Sequence, residues 1–116
     1  MAQNPRLRIS TDPLYMLLRE GDIKGFNEKK TGGATADLTF CDMRGVDLRG
    51  LDASGLDFSG CYFRQADLRG VDFSEAKLEG ASINGTQISG VLFPAELTPE
   101  EIALSLAHGT RMRYTK

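Results

Sequence analysis

Two cysteines, one histidine and a run of evenly spaced aspartates are the groups in this 116-residue chain whose types suggest chemistry. Cys41 and Cys61 lie 20 residues apart, with no CxxC spacing and no histidine–cysteine cluster, so zinc is not supported. His108 is the single histidine and falls near the end of a helical stretch, where a cation favours the helix dipole. Asp47 and Asp67 have the residue types of a general acid–base pair. Their spacing recurs along the chain beside arginines, which points to surface and turn chemistry instead. Gly45-x4-Gly50 lacks the Lys-Ser/Thr of a phosphate loop. The residues therefore predict a protein that is not an enzyme, with no catalytic residue, no cofactor and no metal.

The elements that position these groups are set by the glycines. Between Gly45 and Gly90 they fall at Gly45, Gly50, Gly55, Gly60, Gly70, Gly80, Gly85 and Gly90, always a multiple of five apart. Written in fives from Ala36, the chain reads ADLTF, CDMRG, VDLRG, LDASG, LDFSG, CYFRQ, ADLRG, VDFSE, AKLEG, ASING, TQISG and VLFP. The third position is large and apolar in every pentad except at Ala53, and the first is small or apolar throughout. Second and fourth positions are polar almost without exception. A disordered tract would not keep this register. Neither the 3.6-residue helix period nor the two-residue strand period fits a repeat of five. A short extended piece with positions one and three inward, then a turn at the glycine, does fit.

The segment from Ala36 to Phe93 resembles the pentapeptide-repeat proteins, whose pattern is A(D/N)LXX. Ala36-Asp37-Leu38 and Ala66-Asp67-Leu68 match it outright, and Asp takes the second place in seven of twelve pentads. The resemblance implies an all-β solenoid: a right-handed, four-sided β-helix with 20 residues per coil and about three coils. Some members of the family are long acidic dimers that mimic duplex DNA and bind DNA gyrase. The resemblance makes that role the alternative to a small, rigid protein-interaction module. Three coils at roughly 4.8 Å span only about 14 Å, so mimicry by this chain would need end-to-end dimers.

A period of 20 stacks the third positions as Leu38/Phe58/Leu78, Met43/Phe63/Ile83, Leu48/Leu68/Ile88 and Ala53/Phe73/Phe93, each an apolar column. Ala53 shares its pentad with Leu51, so the large and small positions are exchanged there. Cys41 and Cys61 become first-position neighbours, expected as reduced, buried thiols rather than a redox staple. Outward charges separate by column. Candidate Arg-face residues Arg44, Arg49, Arg64 and Arg69 stand beside Asp42, Asp47 and Asp67. A candidate acidic partner face carries Asp37, Asp52, Asp57, Asp72, Glu75 and Glu79 against Lys77 alone.

Both flanks read as helical covers for the open ends, giving an N-terminal cap over 1–35, repeats over 36–94 and a C-terminal cap over 95–116. Asp12-Pro13 starts one helix, with Leu14, Leu17 and Leu18 on a face. Asp22 caps a second, carrying Ile23 and Phe26, with Gly25 unexplained inside it. Thr98-Pro99-Glu100-Glu101 reads as a capping box before a stripe of Ile102, Ala103, Leu106 and Ala107. The tail after Gly109 is basic, with an exposed-type Met112 and Tyr114. It is expected to dock back, pair with a second copy, or meet an acidic partner. Arg6 and Arg8 are further weak basic candidates.

Fourteen Lys+Arg against 16 Asp+Glu give a net charge of −2, which argues against direct nucleic-acid binding. The longest apolar run, Leu14 to Leu18, is far short of the roughly 20 residues of a membrane span. Met1-Ala2-Gln3-Asn4-Pro5-Arg6 has no apolar stretch of signal-peptide length, so a cytoplasmic location without membrane contact is expected. The expected partner is an unidentified protein, with a homodimer as the other candidate.

Overall fold

In the computed structural model, which describes residues 11–115, the pentads turn at their fourth and fifth positions. Arg6 and Arg8 lie outside the described residues. From Met43 to Ile88 the carbonyl of each third residue accepts a hydrogen bond from the first residue of the next pentad, as in Leu51 N–Leu48 O at 3.0 Å and Ala66 N–Phe63 O at 2.9 Å. This closes a four-residue turn whose third residue has φ between +68° and +86° at the eight glycines of the register. That is the type II geometry, which glycine adopts without steric cost. Phe40 and Gln65 hold the same place at φ 56° and 58°.

Turning every five residues leaves about one residue per side free to pair. Parallel bridges accordingly join second positions 20 apart: Asp42 to Tyr62, Tyr62 to Ser82, Asp47 to Asp67 and Asp67 to Gln87. Backbone bonds knit the same columns, for example Phe63 N–Ser82 O at 2.8 Å and Ser82 N–Cys61 O at 3.0 Å. Among the described residues no longer strand or continuous sheet forms, so the β-rich class appears only as bridges. The repeats lie in three tiers, residues 36–55, 56–75 and 76–93.

The inward side chains form the core. In the middle tier Phe58, Phe63 and Phe73 are fully buried and meet edge-to-face, with centroids 5.6 Å, 6.0 Å and 6.5 Å apart. Ala53 and Leu51 are both buried, consistent with their exchanged sizes. The apolar columns are not continuous to the end. Leu78 and Ile83 are buried, whereas Ile88 and Phe93 in the same tier are only half-buried.

Helix α1 (Pro13–Glu20) is capped by Asp12, whose side chain accepts from Leu14 N, and ends at Gly21. It buries Leu14, Tyr15 and Leu18. Helix α2 (Ile23–Thr31) is capped by Asp22, which accepts from Gly25 N at 2.9 Å. Gly25 has its reason there, because an added Cβ would come within 2.5 Å of Asp22 Oδ2. Helix α3 (Pro99–His108) is capped by Thr98, which accepts from Glu101 N. The capping box is half made: the Glu101 carboxylate turns instead to Arg113, taking bonds from its backbone and guanidinium. The buried position of α3 is Ser105, with Ile102 and Leu106 half-buried, and Ala103 and Ala107 face solvent.

Side chains on the helices supply what a further tier would have supplied. Tyr15 Oη donates to Asp42 O at 2.7 Å, and Arg19 reaches Asp42 O and Arg44 O. The Asn27 carboxamide donates to Gly50 O and accepts from Asp52 N, each at 3.0 Å, as a peptide group would. At the other end Ser105 Oγ accepts from Ile83 N. The tail docks back on the repeats, and its Met112 is fully buried rather than exposed. Gly80 N donates to Met112 O and Met112 N donates to Ala81 O, so Met112 pairs like a residue of a next tier.

Candidate functional site: the charged columns

Seven aspartates occupy second positions, and each accepts the backbone N–H of its own fourth residue at 2.8–3.2 Å. The carboxylate thereby braces the chain as it enters the turn. All of these aspartates do structural work first, and their surroundings decide what charge remains for a partner.

On the Arg columns the remaining charge is largely cancelled. Arg44, Arg49 and Arg69 each pair with the aspartate two residues earlier, at 2.7 Å. Arg49 also reaches Asp67 of the next tier at 3.3 Å, which links the two pairs. Hydrogen bonds from these guanidiniums hold Asp42 and Asp47 below the ordinary carboxylate range, and Arg69 brings Asp67 down to about 2. Asp42, an outward position, is buried beneath the α1 contacts. Arg64 differs because Tyr62 replaces aspartate in its pentad. It donates to Tyr62 Oη and Asn84 Oδ1, both at 3.0 Å, and makes no ion pair among the described residues. The Arg44 and Arg64 guanidiniums lie 5.9 Å and 6.0 Å from the Tyr62 ring.

The acidic columns are different. Asp37 accepts from Thr39 Oγ1, and Asp72 from Ser74 Oγ, both at 2.6 Å. Asp52 is tied to Lys30 of α2 at 3.1 Å, a counter-charge that the repeat register does not reveal. The serine hydroxyl and then the lysine keep Asp52 below its usual value. Asp57, Glu75 and Glu79 come together along a cleft of about 460 Å³ that also holds Lys77, Tyr114 and Glu96. None of Asp57, Asp72, Glu75, Glu79 and Glu96 makes an ion pair among the described residues. Burial, with added push from Glu96, Glu79 and Asp57, raises the Tyr114 phenol, which accepts from Leu78 N at 2.9 Å.

The pattern that places these columns also matches a family model: pentapeptide repeats, in eight copies, over residues 35–70 and 57–93. The chain belongs to the pentapeptide-repeat family. No curated protein and no solved structure matches it. Family membership accounts for the repeat and leaves the biochemical role of this pentapeptide-repeat chain unspecified.

Of the six acidic candidates, three share the cleft, Asp72 stands in the column beside it, Asp52 is neutralised, and Asp37 lies outside the cleft, bonded to Thr39 of its own turn. Glu96 and Tyr114 are additions, since they lie beyond the last pentad where no register predicts their place. Other reactive groups stay dispersed. Cys41 and Cys61 are buried and not joined in a disulfide, and Cys61 Sγ donates to Leu38 O. His108 closes α3 as its last-turn base. Among the described residues no cluster is placed to hold a metal ion, and no helix is long and apolar enough to cross a membrane.

Proposed function

We infer that this pentapeptide-repeat protein is a non-enzymatic, rigid interaction module whose acidic columns bind a Lys/Arg-rich protein partner. The observation that carries this is the uneven cancellation of charge. Arg-column aspartates are paired, while Asp57, Glu75, Glu79 and Glu96 converge on one cleft beside Lys77 alone. The three bridged tiers support reading the repeats as a right-handed, four-sided β-helix. On this reading residues 1–35 and 95–116 are its end caps and 36–94 its repeat body. The function needs only a fixed surface, which a bridged stack around a buried aromatic middle tier provides. A duplex-mimic role draws less support, because Lys30 and Lys77 interrupt the acid columns and three tiers span only about 14 Å.

The test is affinity capture with the native chain and with Asp57→Lys, Glu75→Lys and Glu79→Lys combined. The native protein is expected to retain a basic partner that elutes at raised salt, and the reversed variant to lose it. A partner held equally by both proteins would refute the acidic-face assignment. Inhibition of gyrase supercoiling at micromolar protein would instead favour the duplex-mimic role.

A further inference from the structure

The last tier is covered over only half of its open edge. On the covered half, Leu78 and Ile83 are 1 % and 0 % exposed, and Leu78, Gly80, Ile83 and Gly85 have their N–H groups accepted by Tyr114, Met112, Ser105 and Leu106. On the other half, Ile88 and Phe93 occupy the same inward positions and are half-buried. Leu92 beside them is 57 % exposed. In the tier above, Leu68 N, Gly70 N and Phe73 N bond to Gln87, Ser89 and Leu92, while Ala66 O and Val71 O accept from Gln87 and Leu92. The equivalents one tier down are Ile88 N, Gly90 N and Phe93 N with Thr86 O and Val91 O. Among the described residues all five lack a partner. At the opposite end of the stack, Leu38, Met43, Leu48 and Ala53 are all buried.

From this we propose that the edge from Thr86 to Phe93 is a strand-addition site. Its occupant is an extended segment of a partner protein that carries an apolar residue flanked by Lys or Arg. The chain displays the binding mode on the adjoining half of the same edge. There the tail's Arg111-Met112-Arg113 lies extended, Met112 pairs with Gly80 and Ala81, and its side chain is sealed beneath the tier. The site lies on the same tier edge, just past Ile83 and Gly85, whose N–H groups α3 takes through Ser105 Oγ and Leu106 O. Charge selects the flank, since Asp72, bridged to Leu92 of this edge, makes no ion pair among the described residues. Main-chain bonds would supply affinity, and the rungs of Ile88 and Phe93 would accept the apolar side chain. The proposal goes beyond the acidic-face reading and stands if that reading fails, because the backbone edge is separate from the cleft.

The experiment is residue-resolved amide exchange on the full chain, titrated to about 1 mM with a synthetic peptide of its own Thr110–Lys116 sequence as probe. Saturable protection of Ile88, Gly90 and Phe93 is expected, abolished by Ile88→Lys. A peptide N-methylated at its methionine should bind about tenfold more weakly even if Ile88→Lys fails to fold. The charge-reversed cleft variant should still protect these amides, which separates the two readings. Protection confined to Leu78 and Gly80, absence of binding, or protection that appears with protein concentration alone would each overturn the proposal. The last of these would identify a second copy as the occupant.

Discussion

Replacing Phe63 by alanine should be the most damaging single truncation in the repeats. Its ring is fully buried and packs edge-to-face on Phe58 and Phe73 in the only tier with neighbours on both sides. Ladder bonds to the tiers above and below, including Met43 N–Tyr62 O and Phe63 N–Ser82 O at 2.8 Å, fix the backbone around the site. The resulting void therefore cannot collapse, and the cost belongs in the upper part of the 3–5 kcal/mol range for buried phenylalanines. A chain of this length has a total stability of about 6–17 kcal/mol. At about 4 °C per kcal/mol, the variant should melt roughly 16–20 °C lower. Urea unfolding followed by far-ultraviolet circular dichroism measures this, with Arg49→Ala as the surface control. Arg49 is 54 % exposed and should stay within the scatter of ordinary surface substitutions. Equal losses in the two variants would refute the inward assignment of third positions.

Four further outcomes follow from the same contacts. Stability should hold from neutral pH down to about pH 5 and fall between about pH 4 and 2, because Asp42, Asp47 and Asp67 have folded pKa values below their unfolded ones and lose that advantage on protonation; a flat acid limb in denaturant titrations would contradict the pairing. At the alkaline end the raised phenols of Tyr15 and Tyr114 act oppositely, with their stabilisation present below pH about 10 and lost above it. Met112→Ala should cost about 2–5 kcal/mol and speed amide exchange at Gly80, whereas unchanged exchange would mean the tail is not paired there. Gly60→Ala should cost more than Gly70→Ala: both have positive φ, worth about 1–2 kcal/mol, but only at Gly60 would the new Cβ collide with the Phe40 ring. Equal melting temperatures for these two variants would show that the ring moves freely.

What the sequence made legible was whatever repeats. The five-residue register of the glycines located the turns, third positions located the core, and Asp12-Pro13, Asp22 and Thr98-Pro99 located the helix starts. Periodicity carries the turn and core assignments because each pentad has the same local task, and capping chemistry within a few residues carries the helix starts. The ends escaped it because each contact there is made once. Asn27 serves as a substitute peptide group, Lys30 neutralises Asp52, and Met112 occupies a rung position, yet none has a counterpart among the described residues. The acidic cleft was half legible for the same reason: Asp57, Glu75 and Glu79 follow the register, whereas Glu96 and Tyr114 arrive on aperiodic chain.

In a stack of three tiers the ends weigh as much as the repeats, and here they differ. All four inward side chains of the first tier are sealed by α1 and α2, so a second molecule finds no apolar rung to extend at that end. The last tier seals two of its four and leaves the other two half-buried beside unpaired backbone groups. An open edge at both ends would permit head-to-tail addition without closure, which is the geometry of a filament. One sealed end removes that path, because among the described residues an exposed last tier meets the surface of α1 and α2 on the next copy. Addition at the remaining edge must then stop after one step, either with a partner segment or with a single symmetry-related copy. The near-zero net charge fits the same division of labour. It averages columns whose arginines and aspartates cancel locally with columns where Asp57, Asp72, Glu75 and Glu79 make no ion pair among the described residues, and on the proposed reading a basic partner is selected where that cancellation fails.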